Sequence, residues 1–87
     1  MGTKQLKELR NKAKILEPVL RIGKNGATDS LILEINKQLK KKKLIKIKIL
    51  KSARENTDKN ELINKILERT DSELVELVGY IFVLYKK

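Results

Sequence analysis

Eighty-seven residues carry 21 Lys or Arg against 11 Asp or Glu, a net charge of +10, with no Cys and no His; a chain of this length is expected to form one domain over residues 1–87 with a single modest core. The missing Cys and His exclude disulfides, thiolate chemistry and Cys/His zinc sites, and remove the commonest general base near neutral pH. No apolar run approaches the ~20 residues of a membrane span and no signal-peptide core is visible, so a cytoplasmic protein without membrane association is expected.

Thr3 is placed to cap a first helix running to Leu16, with Leu6, Leu9, Ala13 and Leu16 on its apolar stripe and Lys4, Lys7, Arg10, Lys12 and Lys14 around the rest. Pro18 ends that helix and opens a short extended segment, Val19–Ile22. After Gly23-Lys24-Asn25-Gly26, either Thr28 or Asp29 can cap a second helix whose buried stripe is Leu31, Ile32, Ile35 and Leu39. The lysine run at positions 40–43 closes that helix, where cations favour the negative end of the dipole. Leu44–Leu50 alternates, with Ile45, Ile47 and Ile49 on one face and Lys46 and Lys48 on the other, the pattern of a half-buried strand. Ser52–Thr57 is polar and reads as a loop. Asp58 followed by Glu61 is an acidic variant of a capping box, opening a third helix through Leu62, Ile63, Ile66 and Leu67. Glu73–Val78 and Ile81–Tyr85 then flank Gly79-Tyr80 closely enough to make a hairpin. The order αβαβαββ predicts an α+β fold, a compact two-layer α/β sandwich. Its mixed four-stranded sheet combines parallel crossovers with a terminal antiparallel pair.

The most informative feature is Gly23-Lys24-Asn25-Gly26. Glycines allow positive φ and close backbone approach to a ligand. With a helix beginning just after, such a loop offers N–H groups, a positive dipole end and a cation together, which suits a phosphate. Charge is concentrated in the same half of the chain: residues 1–51 hold fifteen Lys or Arg against four acids, net +11, whereas residues 52–87 hold six against seven, net −1. General solubilisation would spread that charge; its concentration points to a polyanion-binding face. The loop lacks the spacing and the G-K-[ST] ending of a P-loop, and no G-x-G-x-x-G or nucleophile–base pairing is present, so no catalytic site, metal or cofactor is expected. The phosphate sought is then that of a polynucleotide.

Within that reading Gly23 and Gly26 bring the backbone to the phosphodiester, or simply serve a tight turn. Lys24 supplies a point charge, and Asn25 either adopts a left-handed backbone or donates to a phosphate or base edge. Arg21 either binds phosphate beside the loop or is an ordinary solvent-facing strand residue. Arg10, Lys12, Lys14, Lys40 and Lys42 extend the track, with a solvated charge the alternative at each. Lys46 and Lys48 either bind nucleic acid or guard an open sheet face against aggregation; guarding is preferred because the loop is expected elsewhere on the molecule. The three aromatics, Tyr80, Phe82 and Tyr85, lie near the C-terminus and form no stacking platform, Phe82 being assigned to the core.

The run Leu9-Arg10, Ala13, Leu16, Pro18-Val19 and Ile22-Gly23-Lys24-Asn25-Gly26, with the ending Glu73-Leu74-Val75, Gly79 and Val83-Leu84-Tyr85-Lys86, resembles the CRM domain (chloroplast RNA splicing and ribosome maturation) in its small stand-alone YhbY-like form. The likeness spans nearly the whole chain, and the Pro-to-Gly segment is its most specific part. It implies a fold similar to the C-terminal domain of translation initiation factor three, RNA binding through a G-x-x-G loop compared with that of KH domains, and a part in ribosome assembly or intron splicing. Arg21 and Lys86 depart from the usual family residues, but both keep or add positive charge. The expected protein is an RNA-binding accessory, monomeric, that associates with structured ribosomal RNA or pre-ribosomal particles during large-subunit maturation. Its rivals are an Alba-type chromatin protein coating DNA or RNA, and a protein-interaction module using the acidic Glu55, Asp58, Glu61 and Glu68.

Overall fold

The computed structural model describes residues 2–55 and 57–87. In chain order its elements are α1 (Thr3–Ala13), β1 (Leu20–Ile22), α2 (Asp29–Lys42), β2 (Leu44–Ile49), α3 (Lys51–Arg54), α4 (Lys59–Thr70), β3 (Glu73–Val78) and β4 (Ile81–Tyr85). The sheet order is β1-β2-β4-β3. Strand β1 runs parallel to β2, while β4 is antiparallel to both β2 and β3. Strands β2 and β3 are therefore parallel to each other with β4 inserted between them, so the hairpin folds back into the sheet. Its turn has Gly79 at φ +61 and no positive φ at Tyr80, the pattern of a two-residue turn with glycine in the first central position. The expected mixed four-stranded α+β fold is the one observed.

Alternation along the strands separates two apolar clusters. Ile22, Ile45, Ile47, Ile49, Phe82 and Leu84 meet Ile32, Ile35 and Leu39 of α2 and Leu62, Ile63 and Ile66 of α4, all buried. Val75 and Val83 point the other way and meet Leu9 and Ala13 of α1, flanked by Leu6, Leu44 and Tyr85. α1 thus covers the end of the second face near the Leu44–Tyr85 pair, and the other described residues leave the rest of that face open. The open part carries Arg21 and Lys48 on one side and Val78, 64% exposed, on the other.

Three local expectations are corrected. The first helix stops at Ala13, because Lys14 and Leu16 donate back only three residues, to Asn11 and Ala13, as the chain tightens ahead of Pro18. Its N-cap is Gly2 and not Thr3, which is already helical. The stretch expected as a loop from Ser52 begins inside α3, a single turn that inserts Ala53, 1% exposed, into the core. One apolar residue in one turn leaves no periodicity to read.

Both longer helices after the glycine loop have side-chain caps. Thr28 Oγ1 accepts from the Leu31 N–H at 3.1 Å, and Asp58 Oδ2 accepts from the Glu61 N–H at 3.3 Å. Thr28→Ala is expected to lower stability by about 1 kcal/mol, the usual cost of losing such a cap, read as a shift in urea midpoint at constant slope.

Candidate nucleic-acid interface

Gly23–Gly26 is a four-residue turn closed by the Gly26 N–H donating to the Gly23 carbonyl at 3.0 Å. Ile22 and Ala27 on either side are buried, so the chain is anchored at both ends and its tip, Lys24-Asn25, projects into solvent. Gly26 has φ +67, where an L side chain is strained. Gly23 does not: a Cβ there would meet only Ser52 Oγ, at 3.9 Å. Of the two glycines expected to use positive φ, only Gly26 does so. Asn25 also lies outside the positive-φ residues, which removes its left-handed alternative.

The loop leads into α2, whose first residue is Asp29. A carboxylate there would repel a phosphate, but Asp29 Oδ1 is bound by Arg69 Nη2 at 2.9 Å. Both partners are substantially exposed, so the pair adds little to stability; its consequence for the site is that the acid is countered by a cation from α4.

Register fixes what surrounds the loop. Arg21 is the Cα partner of Lys48 across the β1–β2 ladder, and Val19 donates to the Lys46 carbonyl at 2.9 Å. Lys48 therefore lies on the strand next to the loop's root. This overturns the premise on which guarding was preferred for Lys46 and Lys48, since the glycine loop is not elsewhere. Directly after β2, α3 brings Ser52 against Gly23. The neighbouring Arg54 donates from Nη2 to the Ile49 carbonyl at 3.3 Å and places its guanidinium carbon 3.6 Å from the Tyr80 ring centroid. Lys59 Nζ donates to the Gly79 carbonyl at 2.9 Å and lies 4.9 Å from the same ring. One end of the sheet thus gathers Arg21, Lys24, Lys48, Arg54 and Lys59.

The other candidates lie apart from it. Lys40 and Lys42 are in the last turn of the 14-residue helix α2, some 20 Å along its axis from the loop at 1.5 Å per residue. Arg10 donates from Nε to the Val75 carbonyl at 3.2 Å, fastening α1 to β3, and Lys12 and Lys14 are exposed at the end of α1. Arg54 and Lys59 escaped the sequence reading because they sit in the half whose charges cancel, and Tyr80 was read there only as an aromatic that forms no stacking platform. Lys51 and Arg54, three residues apart on one turn, were the available signal.

The family model of the CRS1 / YhbY (CRM) domain matches residues 1–86. The chain belongs to the CRM family. A Bacillus subtilis member, "Probable RNA-binding protein YqeI", is 37% identical over 84 residues, covering 97% of this chain and 85% of that protein. A Haemophilus influenzae member named "RNA-binding protein" is 37% identical over 86 residues, covering 99% of this chain and 85% of its own. "Probable RNA-binding protein MJ0652" of Methanocaldococcus jannaschii is 40% identical over 83 residues, which span 95% of this chain but 61% of that longer relative. In three dimensions, the solution structure of SAV1595 from Staphylococcus aureus superposes with a TM-score of 0.80 at 34% identity, covering 100% of this chain and 88% of the other. The mixed sheet flanked by helices is thus a CRM fold.

Proposed function

We propose that this chain is a monomeric, single-domain RNA-binding protein that holds the phosphate backbone of structured RNA in its GKNG turn, and that it accompanies ribosomal RNA or pre-ribosomal particles during large-subunit maturation. The observation that carries this reading is the convergence of an exposed Lys24-Asn25 tip, Arg21 and Lys48 at one end of the sheet in a chain of net charge +10. Gly23 and Gly26 shape the turn, Lys24 and Asn25 donate to phosphate oxygens, and Arg21 contacts the adjoining phosphate. Arg10, Lys12, Lys14, Lys40 and Lys42 act at longer range, drawing the polyanion to the face that the turn occupies. Binding requires no cofactor, no bond is made or broken, and the cytoplasm is the compartment where such RNA is met. RNA binding is supported by the names of the family members, and the ribosomal assignment by the family resemblance.

Electrostatic binding has a measurable signature. With some five phosphates neutralised, log K should fall against log[salt] with a slope of roughly −4 to −5; fluorescence anisotropy with a labelled RNA hairpin between 50 and 300 mM KCl reads it, and a flat line would sink the mechanism. Equal or tighter binding to duplex DNA would favour a chromatin protein instead. Crosslinking in cells, followed by sequencing of the bound RNA, tests the ribosomal part of the proposal: recovery of messenger or transfer RNA alone would overturn it.

A further inference from the structure

Arg54 is held more firmly than a surface cation needs to be. Its guanidinium carbon sits 3.6 Å from the Tyr80 ring centroid, a stacking distance, while Nη2 donates in-plane to the Ile49 carbonyl at 3.3 Å. The backbone that carries the ring is fixed in turn, because Tyr80 occupies the two-residue turn between β3 and β4 and its carbonyl accepts from the Ile49 N–H at 2.7 Å. Lys59 Nζ closes the same turn from α4 by donating to the Gly79 carbonyl. Stacking and hydrogen bonding together set the plane of the guanidinium, yet Arg54 remains exposed. A planar cation whose position is fixed in advance loses little entropy when a ligand arrives.

Its location matters as much as its rigidity. Leu50 donates to the Ile22 carbonyl and Ile49 donates to the Tyr80 carbonyl. The glycine turn, the end of β2 and the Tyr80 turn are therefore laterally adjacent, which puts Tyr80 two strand spacings, about 10 Å, from the root of the turn. Ser52, two residues before Arg54, touches the Gly23 position. A backbone phosphate in the turn and a base over Arg54 are then within reach of one short stretch of RNA. RNA-binding proteins stack unpaired bases on guanidinium planes as well as on aromatic rings.

We infer that the Tyr80–Arg54 stack is a platform for one unpaired RNA base, which lies on the outward face of the Arg54 guanidinium while a neighbouring phosphate occupies the GKNG turn. This rests on the RNA-binding reading above and adds a preference for single-stranded or bulged RNA, which phosphate contacts alone do not provide. Three layers result, with ring, guanidinium and base in sequence. The hydroxyl of Tyr80 takes no part, so Tyr80→Phe preserves the platform. Arg54→Lys keeps the charge but removes the plane, and Tyr80→Leu removes its support.

The test compares three probes on the full chain at one ionic strength: a uridine strand of about twelve nucleotides, a strand of equal length in which every base is replaced by an abasic sugar, and a blunt RNA duplex. The unmodified chain should bind the uridine strand about 5- to 160-fold tighter than the abasic one, the range that one stacked base contributes. Arg54→Lys and Tyr80→Leu should lose most of that margin while binding the duplex within about twofold of the parent, and Tyr80→Phe should keep it. Equal binding of uridine and abasic strands by the unmodified chain overturns the platform, and this comparison needs no variant to fold. Equal losses on all three probes in Arg54→Lys overturn it as well, assigning Arg54 a charge or folding role. Failure of the unmodified chain to bind any probe would instead overturn the RNA reading itself.

Discussion

A chain carrying Lys24→Asp and Asn25→Asp is expected to melt where the parent does and to bind RNA about 100-fold more weakly. The fold should survive because neither side chain builds the turn. Both residues are exposed, neither has positive φ, and the closing hydrogen bond runs from the Gly26 N–H to the Gly23 carbonyl. Asp is also among the residues that turns favour. Binding should fail because the substitutions replace one positive charge by two negative ones where a phosphate is to be held. One charge-assisted hydrogen bond is worth about 1.5–3 kcal/mol, so losing a single contact already accounts for a tenfold to hundredfold change, and repulsion adds to it. Anisotropy titration at fixed salt, with a thermal melt followed by circular dichroism, separates the two effects. Unaltered affinity would remove the turn from the site; a collapsed melt would show that its side chains serve the fold.

The loop and its flanks were legible in the sequence because their causes are local. Two glycines three apart, the apolar Val19–Ile22 segment before them and a cap residue after them all act within a few residues. The same holds for the hairpin, where Gly79 separates two apolar strands whose bounds were read correctly. What the sequence did not disclose depends on register and packing. That Lys48 stands opposite Arg21 follows from how β1 pairs with β2, and nothing in either segment states the offset. Both lysines of β2 were therefore assigned a protective role on a mistaken picture of where the loop lay. α3 was missed because its tertiary anchor is one alanine. The Arg54–Tyr80 stack joins residues 26 apart in sequence through a contact that only the closed sheet creates.

The role of Gly26 was read correctly in kind, but the same reason was wrongly extended to Gly23. A left-handed backbone is needed only where the turn passes into α2. At Gly23 the neighbouring Ser52 leaves ordinary van der Waals space, so a Cβ would be tolerated there. The two glycines of one motif therefore differ: the backbone requires a glycine at position 26 and does not require one at position 23.

Phe82→Ala is expected to destabilise the protein by about 3–5 kcal/mol. Phe82 is fully buried in β4, which lies between β2 and β3, and its Cα partners are Ile47 on one side and Leu77 on the other. It is the largest side chain at the centre of the cluster that α2 and α4 share with the sheet. Truncation removes apolar area and leaves a cavity that neighbouring strands, fixed by their hydrogen-bond ladders, fill poorly. Stability of about 0.05–0.15 kcal/mol per residue amounts to roughly 4–13 kcal/mol for a chain of this length, so this one substitution removes about a quarter or more of it and can leave the variant partly unfolded at 37 °C. A lower urea midpoint with unchanged slope is the expected observation; a loss below about 1 kcal/mol would mean that the centre of the core has been misplaced. The binding outcome differs from that of the loop variant. Molecules that remain folded keep the GKNG turn, whose closing hydrogen bond joins Gly26 to Gly23, so RNA affinity corrected for the folded fraction should match the parent. The two substitutions thus separate stability from recognition: one shifts the urea midpoint and spares corrected affinity, whereas the other does the reverse.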